Sequence, residues 1–142
     1  MIKEFVEEVC SILNMKLPNV SYDTSCFLTD TTIAQCDISS NTIYLKETES
    51  SNPDYLFAIA HELRHLWQAA TDRETYFSDY QTADILGKER YNSQAAEVDA
   101  NAFAGLIMIQ FFHLQPLWQG LSDNNIRKIN SRMNDIALTF QS

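Results

Sequence analysis

The chain has 142 residues, 45% hydrophobic and 11% aromatic, which is enough to bury a core and too apolar for a disordered chain. Nineteen acidic residues against ten basic ones give a net charge of −9. That balance offers no basic patch for nucleic-acid phosphates and weakly favours neutral or basic partners.

Residues 2–14 place Ile2, Phe5, Val6, Val9, Cys10 and Leu13 at helical spacing, with Lys3, Glu4, Glu7 and Glu8 between them. This is an amphipathic helix, ended by residues 14–18. Its acidic start is unlike a signal peptide. Cys10, Cys26 and Cys36 are an odd number at no ligand-like spacing and read as reduced thiols, with Cys10 buried on the helix. The most apolar stretch, residues 102–112, is too short to span a bilayer. The expected setting is therefore cytoplasmic, with no membrane partner, and a secreted protein is disfavoured.

From residue 20 to 46 the period shifts towards two. Val20-Ser21-Tyr22 is a weak strand; Ile33-Ala34-Gln35-Cys36-Asp37-Ile38 and Thr42-Ile43-Tyr44-Leu45-Lys46 are stronger ones, and Ser39-Ser40-Asn41 between them reads as a hairpin turn. The mostly polar residues 24–32 read as a loop. The segment from Thr42 to Lys46 is expected to be a sheet edge able to pair with an extended peptide.

Next comes His61-Glu62-Leu63-Arg64-His65, the H-E-x-x-H pattern of a helical zinc site with a built-in general base. Positions four apart on a helix lie ~40° apart in azimuth and ~6 Å along the axis, so the two imidazoles can reach one metal ion. Glu62, about 100° round from His61, can hold a water that the metal also holds. Asn52 is placed to cap the helix, Pro53 suits its first turn, and Asp54 complements the dipole. Leu56, Phe57, Ala60, Leu63, Leu66 and Trp67 supply its apolar contacts. Residues 71–92 are of mixed character, either a lid or a stretch with a short element that Gly87 breaks.

Ser93 reads as the cap of a helix running to about His113, with Ala96, Ala100, Phe103, Leu106, Ile107 and Phe111 as its apolar face. Pro116 and Gly120 mark the following turn. A last helix starts near Ser122 or Asp123 and carries Ile126, Ile129, Met133, Ile136, Ala137 and Phe140 at helical spacing. The whole reads as one α+β domain over residues 1–142.

A catalytic zinc site commonly has three protein ligands and a water. The helix opening Ala95-Ala96-Glu97-Val98-Asp99-Ala100-Asn101 offers two carboxylates for the third place. On a helical wheel Glu97 lies ~100° from Ala96 on one side and Asp99 ~60° on the other, so burial alone does not choose. The longer reach of Glu97 and Asn101 one turn on favour Glu97; Asp99 then reads as an orienting partner, or as the counter-charge of Arg90 or another cation. His113, about four turns beyond Glu97, is too far to join.

The order helix, short strands, HELRH helix, then a helix with Glu97, Ala100, Asn101, Phe103 and Ala104 resembles the ImmA/IrrE-type metallopeptidases, gluzincin-like proteins of bacteria and their mobile elements. The likeness covers roughly residues 33–109 and includes Asn41-Thr42-Ile43-Tyr44-Leu45 and Phe57-Ala58-Ile59-Ala60-His61-Glu62-Leu63. It departs from the family at Arg64, where a glycine is usual, and at Ile107-Met108-Ile109-Gln110, which lacks the usual proline; no helix-turn-helix is evident. The resemblance implies a zincin-like minimal metallopeptidase with an N-terminal helix, a small antiparallel or mixed three-stranded sheet, an HExxH helix, a Glu-bearing helix and a C-terminal helix. It implies zinc held by His61, His65 and Glu97, Glu62 as catalytic base, and a protein or peptide substrate such as a repressor or regulator. In that chemistry Glu62 takes a proton as water attacks a peptide carbonyl and delivers it to the leaving amine. Tyr76, Tyr80, Tyr91 and Arg64 are candidate oxyanion donors, and the sequence does not choose among them. Two other readings remain open: a zinc-binding regulatory protein that keeps the site without turnover, and a metal-free structural domain.

Overall fold

Caps and short-range hydrogen bonds set where the elements begin and end in the computed structural model, which describes residues 1–140. Helix α1 spans Ile2–Ile12 and buries Ile2, Val6, Val9 and Cys10. It stops at Asn14, whose φ of 53° is left-handed, a conformation Asn tolerates better than most residues. The amide of Asn14 donates to Ser11 and that of Met15 to Cys10, the paired bonds of a Schellman ending. Burial pushes the Cys10 thiol up to about 11. At pH 7.5 a thiol reagent should therefore label exposed Cys26 in the native protein and reach Cys10 only after unfolding. Mass spectrometry of the labelled peptides checks this.

Strands β1 (Asn19–Ser21), β2 (Ala34–Asp37) and β3 (Thr42–Leu45) form a mixed sheet in the order β1-β3-β2. The β2–β3 hairpin is antiparallel, pairing Ala34 with Leu45 and Asp37 with Thr42. Its turn is closed by Asp37, which accepts a hydrogen bond from the Ser39 amide, and by Asn41 at a φ of 51°. Strand β1 runs parallel to β3, and Asn19 fixes it there by donating from its amide to Asn41 and from its side chain to Ser40. The edge expected at Thr42 to Lys46 is thus overturned: β3 is the central strand, with Thr42, Ile43 and Leu45 buried. The edges are β1 and β2.

Helix α2 spans Pro53–Phe77, and Asn52 caps it by accepting from the Asp54 amide at 3.0 Å. Buried Tyr55 ties its first turn to the chain after β3, donating to the Glu47 carbonyl at 2.6 Å and accepting from the Glu47 amide. The helix bends at Asp72, which has φ −157° and ψ 65°. Asp72 also starts the following turns, accepting from the Thr75 amide and hydroxyl. The chain divides at this bend into two compact units, Met1–Thr71 and Asp72–Ser142.

In the second unit α3 (Ala83–Leu86) and α4 (Lys88–Asn92) are separated by Gly87 at a φ of +80°, where a side chain would be strained. Residues 71–92 thus hold the end of α2 and two short helices. Helix α5 spans Ala95–Phe112 and packs on α6, Asp123–Phe140. Gln94, not Ser93, holds the N-cap position of α5; Ser93 closes α4 instead, its hydroxyl donating to the Arg90 carbonyl. Ser122 caps α6 by accepting from the Asn125 amide. Helix α5 is apolar nearly all round and is long enough to cross a membrane, but 67% of it is buried within the protein. Phe111, expected on its buried face, is exposed. Among the described residues the architecture is α+β, with a small mixed sheet and helices.

Candidate metal centre

One side of the centre is built by a single helix. His61 and His65 stand one turn apart on α2, His61 half-buried and His65 buried. Their rings are nearly perpendicular, with Nε2 atoms facing each other at 3.1 Å. Phe57, one turn earlier, stacks with His61 at 6.4 Å between centroids. His65 is fixed by Gln68, which is fully buried and places its Oε1 2.9 Å from His65 Nδ1. An amide oxygen only accepts, so Nδ1 carries the proton and Nε2 is left with its lone pair. That tautomer is the one a metal needs. Two nitrogens on one tetrahedral zinc stand roughly 3.3–3.4 Å apart, from bond lengths of ~2.0–2.1 Å. The observed spacing is close to that, so the pair fits a metal ion.

Glu62 is half-buried, with Oε2 3.9 Å from His61 Nε2. This is beyond a hydrogen bond, and it leaves the carboxylate beside the nitrogen without blocking it. Arg64, at the position where the resembled family has glycine, is buried and lays its guanidinium 3.7 Å over the Trp67 ring.

The two acids of the α5 start are sorted by their partners. Glu97 is buried, and the Tyr80 hydroxyl donates to its Oε2 at 2.7 Å. Tyr80 and Tyr91 place their hydroxyl oxygens 3.0 Å apart. Because Tyr80 has one proton and gives it to the carboxylate, Tyr91 is the donor in that contact. Burial, and then the Glu97 charge, push the Tyr80 hydroxyl well above the ordinary tyrosine range, so it stays a donor. Asp99 is also buried but takes a hydrogen bond from Arg132 Nε at 2.7 Å, and Arg132 Nη2 donates to the Tyr76 hydroxyl at 3.3 Å. The cation at Asp99 is therefore Arg132 of α6, not Arg90.

His61, His65 and Glu97 form a group that could hold a metal ion, each offering one ligand atom, all within 4.8 Å of one another. Asp99 is not in the group, and His113 is an exposed residue ending α5. The support expected from Asn101 comes from Tyr80, which no local pattern could assign to Glu97. Gln68 was the more legible omission, a polar residue three positions after a motif histidine and so on the same helical face. Of the proposed oxyanion donors, Tyr80 is engaged with Glu97, Tyr76 with Arg132 and Arg64 with Trp67. Comparison with protein-family models, curated proteins and solved structures finds no match to this chain.

Proposed function

We propose that the chain is a zinc metallopeptidase of the ImmA/IrrE type, zincin-like in fold, that hydrolyses a peptide bond of a cytoplasmic protein such as a regulator. The observation that carries this reading is the His61–His65–Glu97 group with Glu62 beside it. Two imidazoles and one carboxylate are the donor set of catalytic rather than structural zinc, which uses four protein ligands. Nitrogen and carboxylate donors together suit zinc better than the all-oxygen shells of calcium or magnesium. Bound there, zinc supplies Lewis acidity that brings the pKa of a water molecule towards neutrality.

The chain's own residues divide the remaining work. Gln68 holds His65 in the ligating tautomer. Glu62 takes the proton of the attacking water and passes it to the departing amine, the task of a general base and then acid. A carboxylate at that position is required only by hydrolysis; a binding protein with the same three ligands would not need it.

The test begins with metal content. Protein purified without chelators should hold about one zinc per chain, and His61→Ala and His65→Ala should each lose most of it. Elemental analysis of the three proteins decides; equal zinc in all of them overturns the reading. Mass spectrometry of native-host proteins after expression of wild type or Glu62→Gln then seeks a fragment made only by the wild type. Zinc without any such fragment would favour a regulatory protein that keeps the site without turnover.

A further inference from the structure

Gln94 occupies the N-cap position of α5 but does not cap it. Its side chain reaches across thirteen residues instead. Oε1 accepts from the Gln81 amide at 2.9 Å, and Nε2 donates to the Gln81 carbonyl at 3.0 Å. The same Nε2 donates to the Tyr91 carbonyl at 3.1 Å. One carboxamide therefore fixes the backbone beside Tyr80 and the backbone of Tyr91. These are the two tyrosines whose hydroxyls meet at 3.0 Å, that of Tyr80 donating in turn to Glu97. The rings are packed as well, Tyr80 edge-on to Phe77 at 5.3 Å and to Tyr91 at 6.1 Å between centroids.

We propose that Tyr80 is the positioning residue of Glu97, and that Gln94 holds Tyr80 in place by clamping the backbone of Gln81. This rests on the metal-binding reading above. The chemistry runs through the carboxylate. A tyrosine proton on Oε2 at 2.7 Å lowers the basicity of that oxygen and fixes the plane of the group. The carboxylate is then set to engage a metal through one oxygen rather than two. A glutamate has three rotatable side-chain bonds, so without that contact it must be ordered when the metal arrives, which weakens binding. Neither Tyr80 nor Gln94 is required to touch the metal.

The experiment measures zinc affinity by competition with a chromophoric chelator, and the visible spectrum after substitution with cobalt(II), in the full chain. The variants are Tyr80→Phe, Gln94→Ala and the double variant. Phe keeps the ring contacts, and circular dichroism monitors the fold. Tyr80→Phe should still bind one zinc, about 10–100-fold more weakly, as expected when an orienting partner of a ligand is lost. Its cobalt(II) bands should weaken as the released carboxylate binds through both oxygens and the coordination number rises. Gln94→Ala should shift affinity the same way by less, and should add nothing in the Tyr80→Phe background, because its effect passes through Tyr80. Unchanged affinity and spectrum in Tyr80→Phe overturn the role of Tyr80. Additive effects in the double variant overturn the role of Gln94. A wild type that binds neither zinc nor cobalt overturns the metal reading, and this proposal with it. If Tyr80→Phe does not fold, the comparison rests on Gln94→Ala, and wild-type affinity in that variant overturns the clamp.

Discussion

Glu62→Gln should keep the fold and the full complement of zinc while reducing peptide hydrolysis by about 10²–10⁴-fold, the usual contribution of a general base. Glu62 is half-buried and its carboxylate stands 3.9 Å from His61 Nε2, close to the histidine pair but not part of the three-residue group. Gln has nearly the same shape and can still hold a water, but it cannot accept a proton. The pair of measurements is therefore diagnostic. Zinc quantified in the purified variant reports whether the group survives; cleavage of the identified substrate reports whether proton transfer does. A variant that retains zinc and most of the wild-type rate would remove Glu62 from the mechanism. A variant that loses zinc would mean that Glu62 supports the ligands.

The parts of this molecule that were legible in the sequence are those governed by spacing along one helix. The i, i+4 relation of His61 and His65 places their Nε2 atoms 3.1 Å apart, and the Asn52 cap and the amphipathic face of α1 follow from equally local rules. Cys10 was legible as a buried thiol for the same reason. What was not legible depends on contacts far apart in the chain. The parallel pairing of β1 with β3 is made by Asn19 reaching Ser40 and Asn41, and no period-two pattern distinguishes a central strand from an edge over four residues. Ser93 has the composition of a helix cap, yet its hydroxyl is used to end the preceding helix. Tyr80 reaches Glu97 across seventeen residues, Gln94 reaches Gln81 across thirteen, and Arg132 reaches Asp99 across thirty-three. Both carboxylates were readable as rival candidates; the hydrogen bonds that give them different partners were not.

On the proposed zinc reading, those different partners lead to a crossed result for the two acids of α5. Glu97→Ala should weaken zinc binding by more than the ~10–100-fold that follows from losing an orienting partner, because a ligand itself is removed. Its cost to the metal-free fold should be smaller, since Ala is a good helix former and the Tyr80 hydroxyl that is released still has the Tyr91 hydroxyl 3.0 Å away. Asp99→Ala should do the reverse. Asp99 is 1% exposed, and its hydrogen bond from Arg132 Nε at 2.7 Å joins α5 to α6. Removing one partner of a buried ion pair costs about 3–5 kcal/mol. Here the lower end applies, because the Arg132 side chain is 35% exposed and regains water when the carboxylate goes. Arg132→Ala should be at least as damaging, because it takes a charge partner from the carboxylate, the more deeply buried of the two charges. Denaturant unfolding of the metal-free proteins gives the stability order, and chelator competition gives the zinc order. If Asp99→Ala proved the weaker zinc binder of the two while Glu97→Ala lost more stability, the ligand and the structural charge would have to be exchanged.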